Sequence, residues 1–232
     1  MKINPVNLYS KFFLMNFYYK IEKFVINIAD KYDQSNKKLL EIGAENSPYR
    51  KYFKRVDYFT QDIKQNRSQT TDFIGDLDQG LKQIKSGSFD YILCTQVLEH
   101  LKKPDYAFKE FYRVLNKQGK VFLTTNFIYH IHMQPNDYWR FTKYGLEYLG
   151  RKNGFKILHL KPQGGIFQVI SYLITTAPLR MFLKEWGLWY HFYLIIFSPI
   201  IALINLAAVF LDRFDRKKEL TINYEVVYQK KG

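Results

Sequence analysis

The chain carries one cysteine in 232 residues, Cys94, which excludes an intramolecular disulfide and makes a reducing, cytoplasmic setting the simpler reading. Cys94 sits inside a short apolar run and reads as a small core residue, not a nucleophile. Acidic residues are also scarce. Only 21 Asp and Glu stand against 35 Lys and Arg, a net charge of +14, so an acidic partner is expected, either nucleic acid or an anionic membrane surface. Glycine is sparse, and the one tight turn that looks built for a ligand contains a single one, Gly43, so a phosphate-cradling glycine loop has little support. The N-terminus lacks a short apolar core ending in small residues, and no signal peptide is expected. His130 and His132 alternate with Asp137 nearby, but no third and fourth ligand follow at recognisable spacing, so no metal site is expected.

Aromatic residues, by contrast, are plentiful. They concentrate near the N-terminus and from Trp186 to Phe210, often beside basic residues, a mixture that suits a lipid headgroup boundary better than a solvated nucleic-acid groove. An anionic membrane surface is therefore kept as a partner. Nucleic acid is set aside, because only the net charge favours it.

The most legible stretch is Ser88 to Asn126, which reads strand, helix, strand. Asp90–Thr95 and Lys120–Thr125 are short apolar runs of the kind a parallel strand buried on both faces requires. Between them Pro104 suits a first helical turn, Asp105 favours the positive helix start, and Phe108, Phe111 and Leu115 recur at helical spacing. Gly119 is expected to turn the chain into the second strand. Such a unit is a right-handed crossover, and ligands collect at the carboxyl ends of its strands. Function should therefore be sought at Thr95, Gln96, Glu99 and His100, and at Thr124 to Asn126.

Upstream, residues 1–38 form an N-terminal amphipathic helical segment, with Leu8, Phe12, Met15 and Tyr19 at helical spacing among lysines; packing on the domain and lying on a membrane surface fit it equally. A strand at Leu39–Ile42 leads to the turn Gly43-Ala44-Glu45-Asn46-Ser47-Pro48, after which a helix is expected to present backbone N–H groups to a ligand. A second strand, Val56–Thr60, precedes Asp62, 19 residues after Gly43, and a third, Asp72–Ile74, precedes Asp76. An acid about 20 residues past a glycine turn is the arrangement that holds a ribose diol.

The segments LLEIGAENSPYRKYF, YFTQDIK, IGDLD, SFDYILCTQVLEHLKKPDYAFKEFYRVLNKQGKVFLTTN and FKILHL together resemble the class I S-adenosylmethionine-dependent methyltransferases, of the type 11-like branch. The resemblance implies an α/β fold: a Rossmann-like, seven-stranded, mostly parallel sheet with helices on both faces and an antiparallel last strand. The domain would comprise residues 39–161 plus 220–232. S-adenosyl-L-methionine is the implied cofactor. Glu41, Gly43 and Ala44 would border its methionine end, Asp62 its ribose hydroxyls, Asp76 and Leu77 its adenine, and Gln96 would complete the pocket. Where the family usually has glycine this chain has Glu45 and Ser47, and Asn46 is expected to adopt the left-handed angles in their place.

Phe127 to Gly145 is too polar and aromatic for an ordinary connector. Its run Pro135, Asp137, Tyr138, Trp139, Arg140, Phe141, Thr142, Gly145 and Leu146 resembles methyltransferases of bacterial surface-glycan biosynthesis. Methyl transfer to a hydroxyl needs a base, and His130, His132 and Asp137 are the candidates. His100, Asn126, Tyr138, Trp139 and Arg140 would meet the acceptor; Arg140 could instead pair with Asp137 and fix the loop.

A helix at Lys143–Lys152 and a strand at Phe155–Leu160 come next, and the last strand is expected at Leu220–Gln229. Residues 162–219 between them hold two apolar stretches, Pro162–Leu179 and Trp186–Leu211, interrupted by Pro178 and Pro199. If the flanking strands pair, both ends of this hydrophobic helical insertion lie on one side of a bilayer, which excludes a single span. A monotopic hairpin attached to the inner face of the plasma membrane is the preferred reading, with a dimerisation lid as the alternative. The function expected is O-methylation of a glycan or lipid-linked sugar at that face. Methylation of a quinone or other lipid, or a non-catalytic scaffold of the same fold, is the alternative.

Overall fold

The computed structural model describes residues 15–182 and 187–232. The first described element is helix α1 (Met15–Tyr32), followed by strands β1 (Lys38–Ile42), β2 (Asp57–Asp62), β3 (Phe73–Ile74) and β4 (Phe89–Thr95). Helix α2 (Pro104–Val114), strand β5 (Leu115–Asn126), helix α3 (Lys143–Lys152), strand β6 (Phe155–Gln163), helices α4 (Ile166–Phe182) and α5 (Leu188–Leu211), and strand β7 (Asn223–Lys230) follow among the described residues. The strands make one sheet in the order β3-β2-β1-β4-β5-β7-β6. Parallel pairing joins β3 through β5, and the antiparallel β7 lies between β5 and β6, which gives the Rossmann-like architecture expected.

By their contacts the described residues divide into two units, one of residues 22–161 with 224–232, the other of residues 15–21 with the described part of 162–223. The first is built on the sheet. Leu40, Ile42, Ile92, Cys94, Val121 and Leu123 face Phe108, Phe111 and Leu146 in one core cluster, and the other side of the sheet carries Leu39, Tyr91, Leu93 and Phe122. Phe24, Val25, Ile28 and Ala29 of α1 pack into this second cluster. That burial explains why the latter part of the N-terminal segment is helical: its apolar face is covered. Leu8 and Phe12 lie outside the described residues, as do Lys184 and Trp186.

Three local expectations are corrected. Gly119 lies within β5 instead of turning into it, where an added Cβ would meet the carbonyl oxygens of Asn116 and Asp90, each at 3.1 Å; close backbone approach is its reason. No full helix follows β1: only one 3-10 turn forms, Arg50–Tyr52, because the short connection to β2 is consumed by the turn itself. Pro178 and Pro199 do not stop the helices; both lie inside them. At Pro199 the carbonyl that loses its helical donor, Ile195 O, accepts from Ser198 Oγ at 2.9 Å.

The second unit contains α4 and α5, packed on each other as an antiparallel hairpin. Asp212, just past the end of α5 and 3% exposed, accepts from the backbone N–H groups of Gly165 (2.6 Å) and Phe167 (3.0 Å) and from the Gln168 amide, while Asp215 accepts from Ile166 N (2.9 Å). Carboxylates satisfying the open N–H groups at a helix start also complement its dipole. Midway, Ser171 Oγ donates to Asn205 Oδ1 at 2.6 Å. The outward faces are apolar: Leu173, Ile174, Trp189, Ile196, Leu203 and Leu206 are all exposed. Among the described residues, no helix is long and apolar enough to cross a membrane.

Candidate functional site

In an open parallel sheet the crevice for a ligand lies beyond the carboxyl ends of the strands where connections diverge, here between β1 and β4. The turn after β1 has positive φ at Gly43 (+64°), Glu45 (+48°) and Ser47 (+47°). Asn46 is not left-handed. Glu45 and Ser47 themselves keep the angles that glycine would take, at a cost of roughly 1 kcal/mol each. The glycine at 43 is required twice over, since a Cβ there would lie 2.5 Å from Val97 Cγ2.

Asp62, ending β2, holds this turn in place. Its Oδ2 accepts from Glu45 N at 2.8 Å and its Oδ1 from Ile63 N at 2.7 Å, leaving lone pairs on both oxygens. Ala44 N donates to Gln61 O at 3.0 Å, and Gln96, with φ +56°, donates from its backbone and side chain to Thr124 O and Oγ1. Glu41, Gly43, Ala44, Asp62 and Gln96 are thus gathered at one edge. Asp76 caps the one-turn helix Leu77–Gln79 through Asp78 N (2.9 Å) and lines a cavity of about 180 Å³ with Gln61, Gly75 and Gln79. The Leu77 side chain lies in the core and does not face that cavity.

Glu41 is buried beneath the turn, and burial pushes its carboxyl up to about 7 despite the neighbouring Tyr58 and Ser47 hydroxyls. Glu41 Oε2, Ser47 Oγ and Tyr58 OH are buried without a hydrogen bond of proper geometry. Buried polar atoms left open beside a positive-φ turn suit a polar ligand group more than a closed core. The donor set therefore fits an amino-acid end at Gly43 and a ribose at Asp62. Ser47 and Tyr58 were not foreseen; alternate burial along β2 could have flagged Tyr58, but nothing in the sequence marks Ser47.

Beyond β4 and β5 a second constellation forms. Glu99 is fully buried, and burial raises its pKa; Thr125 Oγ1 donates to its Oε2 (2.9 Å) and Asn126 Nδ2 to its Oε1 (2.8 Å). Tyr138 N (2.9 Å) and Trp139 N (3.2 Å) donate to its backbone carbonyl, tying the long loop back to this turn. The rings of His100 and His132 meet edge to face, centroids 4.7 Å apart. His132 Nδ1 lies 3.1 Å from Asp137 Oδ2, and burial holds its pKa below the ordinary value although Asp137 opposes this. His130 lies tilted against Tyr129, with centroids 4.1 Å apart, and its ring also meets that of His132 at 5.9 Å.

Asp137 and Arg140 form a bidentate pair at 2.6 and 2.7 Å, and that guanidinium holds the carboxyl well below the usual range. Arg140 also donates to the carbonyls of Tyr129, His130 and Trp139. Both residues are occupied in shaping the loop, which leaves His132 as the better placed base among the three named. Tyr138 and Trp139 remain part-exposed, and an open groove of about 630 Å³ runs beside Trp139, Phe141, Tyr106, Tyr148 and Lys102. Glu99, His100 and His132 offer ligand atoms that all lie within 4.8 Å of one another, a trio that sequence spacing did not single out because its members come from two separate segments.

The profile of a family described as methyltransferase domain matches residues 15–189. No curated protein matches. Among solved structures, a SAM-dependent methyltransferase from Archaeoglobus fulgidus superposes with a TM-score of 0.61 at 12% identity, over 98% of this chain and 100% of that one. The phosphoethanolamine N-methyltransferase 2 of Haemonchus contortus, solved with S-adenosyl-L-methionine, gives 0.55 at 16% identity, over 91% of this chain and 53% of that one. The cyclase SpnF gives 0.56 at 16% identity, over 91% of this chain and 80% of that one. At such identities the likeness concerns the fold.

Proposed function

The chain belongs to the methyltransferase-domain family and is an S-adenosylmethionine-dependent methyltransferase, and from that premise we propose that it methylates a hydroxyl of a glycan or lipid-linked sugar at the cytoplasmic membrane face. When bound, the cofactor supplies a methyl group on a sulfonium, already a good leaving group. The protein's part is positioning and proton removal. Glu41, Gly43 and Ala44 would hold the amino-acid end, Asp62 the ribose and Asp76 the adenine side, with Gln96 closing the crevice. His132, kept neutral by burial, accepts the hydroxyl proton, and His130 and Asp137 shape the loop around it. His100 borders the acceptor, while the buried Asn126 and the half-buried Arg140 act from behind, on Glu99 and Asp137. The exposed rings of Tyr138 and Trp139 offer flat apolar faces with polar handles, which suits the C–H face of a sugar ring.

The observation that carries the acceptor class is the α4–α5 hairpin. It leaves the sheet at β6 and returns at β7, its neighbour, so both ends lie on one side of any bilayer, and its outward face is apolar. Exposed apolar surface of this extent needs a cover, and a lipid surface reached by basic residues such as Arg213, Arg216, Lys217 and Lys218 provides one. In this reading residues 39–161 and 220–232 are the catalytic domain, residues 1–38 a leading helical segment and residues 162–219 the membrane device.

Purified protein, methyl-labelled cofactor and separated lipid, lipid-linked sugar and polysaccharide extracts test the proposal. Label is expected in a sugar released from the lipid-linked or polysaccharide fraction. Label only in a quinone or other lipid would replace the acceptor class, and label in none would end the proposal. Co-flotation with anionic vesicles is expected as well; a stable dimer that ignores vesicles would assign the apolar face to self-association instead.

A further inference from the structure

The trio Glu99, His100 and His132 has more order than a base and its neighbours need. His100 Nδ1 contacts Asn136 O, and His132 Nδ1 faces Asp137 Oδ2 (3.1 Å) and His130 O (3.2 Å). These partners only accept, so each ring donates from Nδ1, and in the neutral ring Nε2 is then the nitrogen with a lone pair to offer a metal. Fixing the tautomer through a carbonyl or carboxylate behind the ring is how proteins prepare histidine as a metal ligand. Glu99, held by Thr125 and Asn126, keeps lone pairs on both oxygens.

We propose that Glu99, His100 and His132 bind one divalent transition-metal ion, with open positions on the side of the His130–Arg140 loop for water or an acceptor hydroxyl. Two imidazoles and a carboxylate select Zn, Fe, Co, Ni or Mn over Mg or Ca. The ligand atoms of such an ion, bound at about 2.1 Å, stand about 3 to 3.5 Å apart. The trio, within 4.8 Å of one another, closes to that spacing by a side-chain shift of about 1 to 2 Å. His132 is 20% exposed at its side chain while Glu99 is fully buried, so the site is walled on the sheet side and open on the other. Asp137 then has a second duty: it orients His132 from behind, with Arg140 fixing Asp137 in turn. Use of the ion rests on the methyltransferase reading above, in which it would acidify the acceptor hydroxyl while His132 serves as its ligand in place of acting as the base; binding of the ion does not rest on that reading.

The test is titration of the metal-stripped full chain with Co²⁺, without cofactor or acceptor, followed by visible d–d absorption and by equilibrium dialysis. One Co²⁺ per chain with a ligand-field band is expected. His132→Ala and Glu99→Gln should each weaken binding by about tenfold or more, as loss of a ligand does. His159→Ala, which removes a different histidine–carboxylate pair (Glu225, 2.7 Å), should change nothing. His132 is part-exposed on a loop, so its variant is expected to keep the wild-type far-UV spectrum. Absence of a band and of stoichiometric binding in the wild type would overturn the proposal, as would binding that survives in both His132→Ala and Glu99→Gln. Label transfer that persists in the stripped protein would remove the ion from catalysis and leave the site standing.

Discussion

Asp137 accepts both terminal guanidinium nitrogens of Arg140, at 2.6 and 2.7 Å, with its own side chain 2% exposed. The pair closes a ring of contacts with His132 N, Tyr129 O and His130 O, and so shapes the loop that carries the candidate acceptor residues. Removing one member leaves the other charge poorly paired in a half-buried place. Arg140→Ala should therefore cost about 2 kcal/mol of stability in thermal melts and raise the KM for the acceptor, with cofactor affinity unchanged. Equal loss of cofactor affinity would show that the loop is not a separate part.

Glu41 supplies a pH signature. Its folded pKa is raised to about 7, so between the unfolded value near 4.5 and about 7 the folded state holds a proton that the unfolded state has released. Stability of the cofactor-free protein should fall as pH rises through that window, by an amount on the order of 3 kcal/mol at most. Denaturant midpoints from pH 4.5 to 8 measure it. Glu41→Gln should flatten the curve, and an unchanged slope in that variant would remove Glu41 as its source.

Gly43 is held at φ +64° against Val97. Gly43→Ala should weaken cofactor binding about tenfold through both strain and contact. Adding Val97→Ala removes the contact alone, so the double variant should recover only part of the affinity in calorimetric titration. Full recovery would mean that the left-handed turn has no role.

Asp212 is a buried clamp at the base of the hairpin, where α4 begins and α5 ends. Asp212→Ala strips acceptors from Gly165 N, Phe167 N and the Gln168 amide, and should cost about 1 to 2 kcal/mol, the scale of a lost helix cap. Limited proteolysis between residues 160 and 220 should accelerate in that variant while S-adenosylhomocysteine affinity stays the same. Unaltered cleavage would show that the helices are held by packing alone.

Much of the sheet was legible because its strands are short apolar runs with turn chemistry at the right places, and the β4-α2-β5 unit could be read almost residue by residue. Boundaries drifted where tertiary contacts override local preference. Leu115 joins β5 because it pairs with Phe89 of β4, Asn116 follows with its side-chain amide on Asp90, and Gly119 serves close packing where a turn was expected. Asn46 looked like the left-handed residue by type, yet Glu45 and Ser47 take that role because the hydrogen bonds from Glu45 N to Asp62 and from Ala44 N to Gln61 fix the turn's path. The proline-containing helices continue because their rows of hydrogen bonds and mutual packing outweigh one lost donor. Least legible was the trio of Glu99, His100 and His132. It depends on a loop folding back so that Tyr138 and Trp139 reach the Glu99 carbonyl, a contact that no spacing in the sequence encodes.

This turn, with Glu45 and Ser47 where glycines usually stand, is expected still to hold the cofactor through Gly43 and Asp62. Calorimetric titration with S-adenosylhomocysteine tests it directly. One site with micromolar affinity is predicted for the wild type, weakened about tenfold or more in Asp62→Ala through loss of a charge-assisted hydrogen bond. No binding by the folded wild type, or equal affinity in Asp62→Ala, would contradict it.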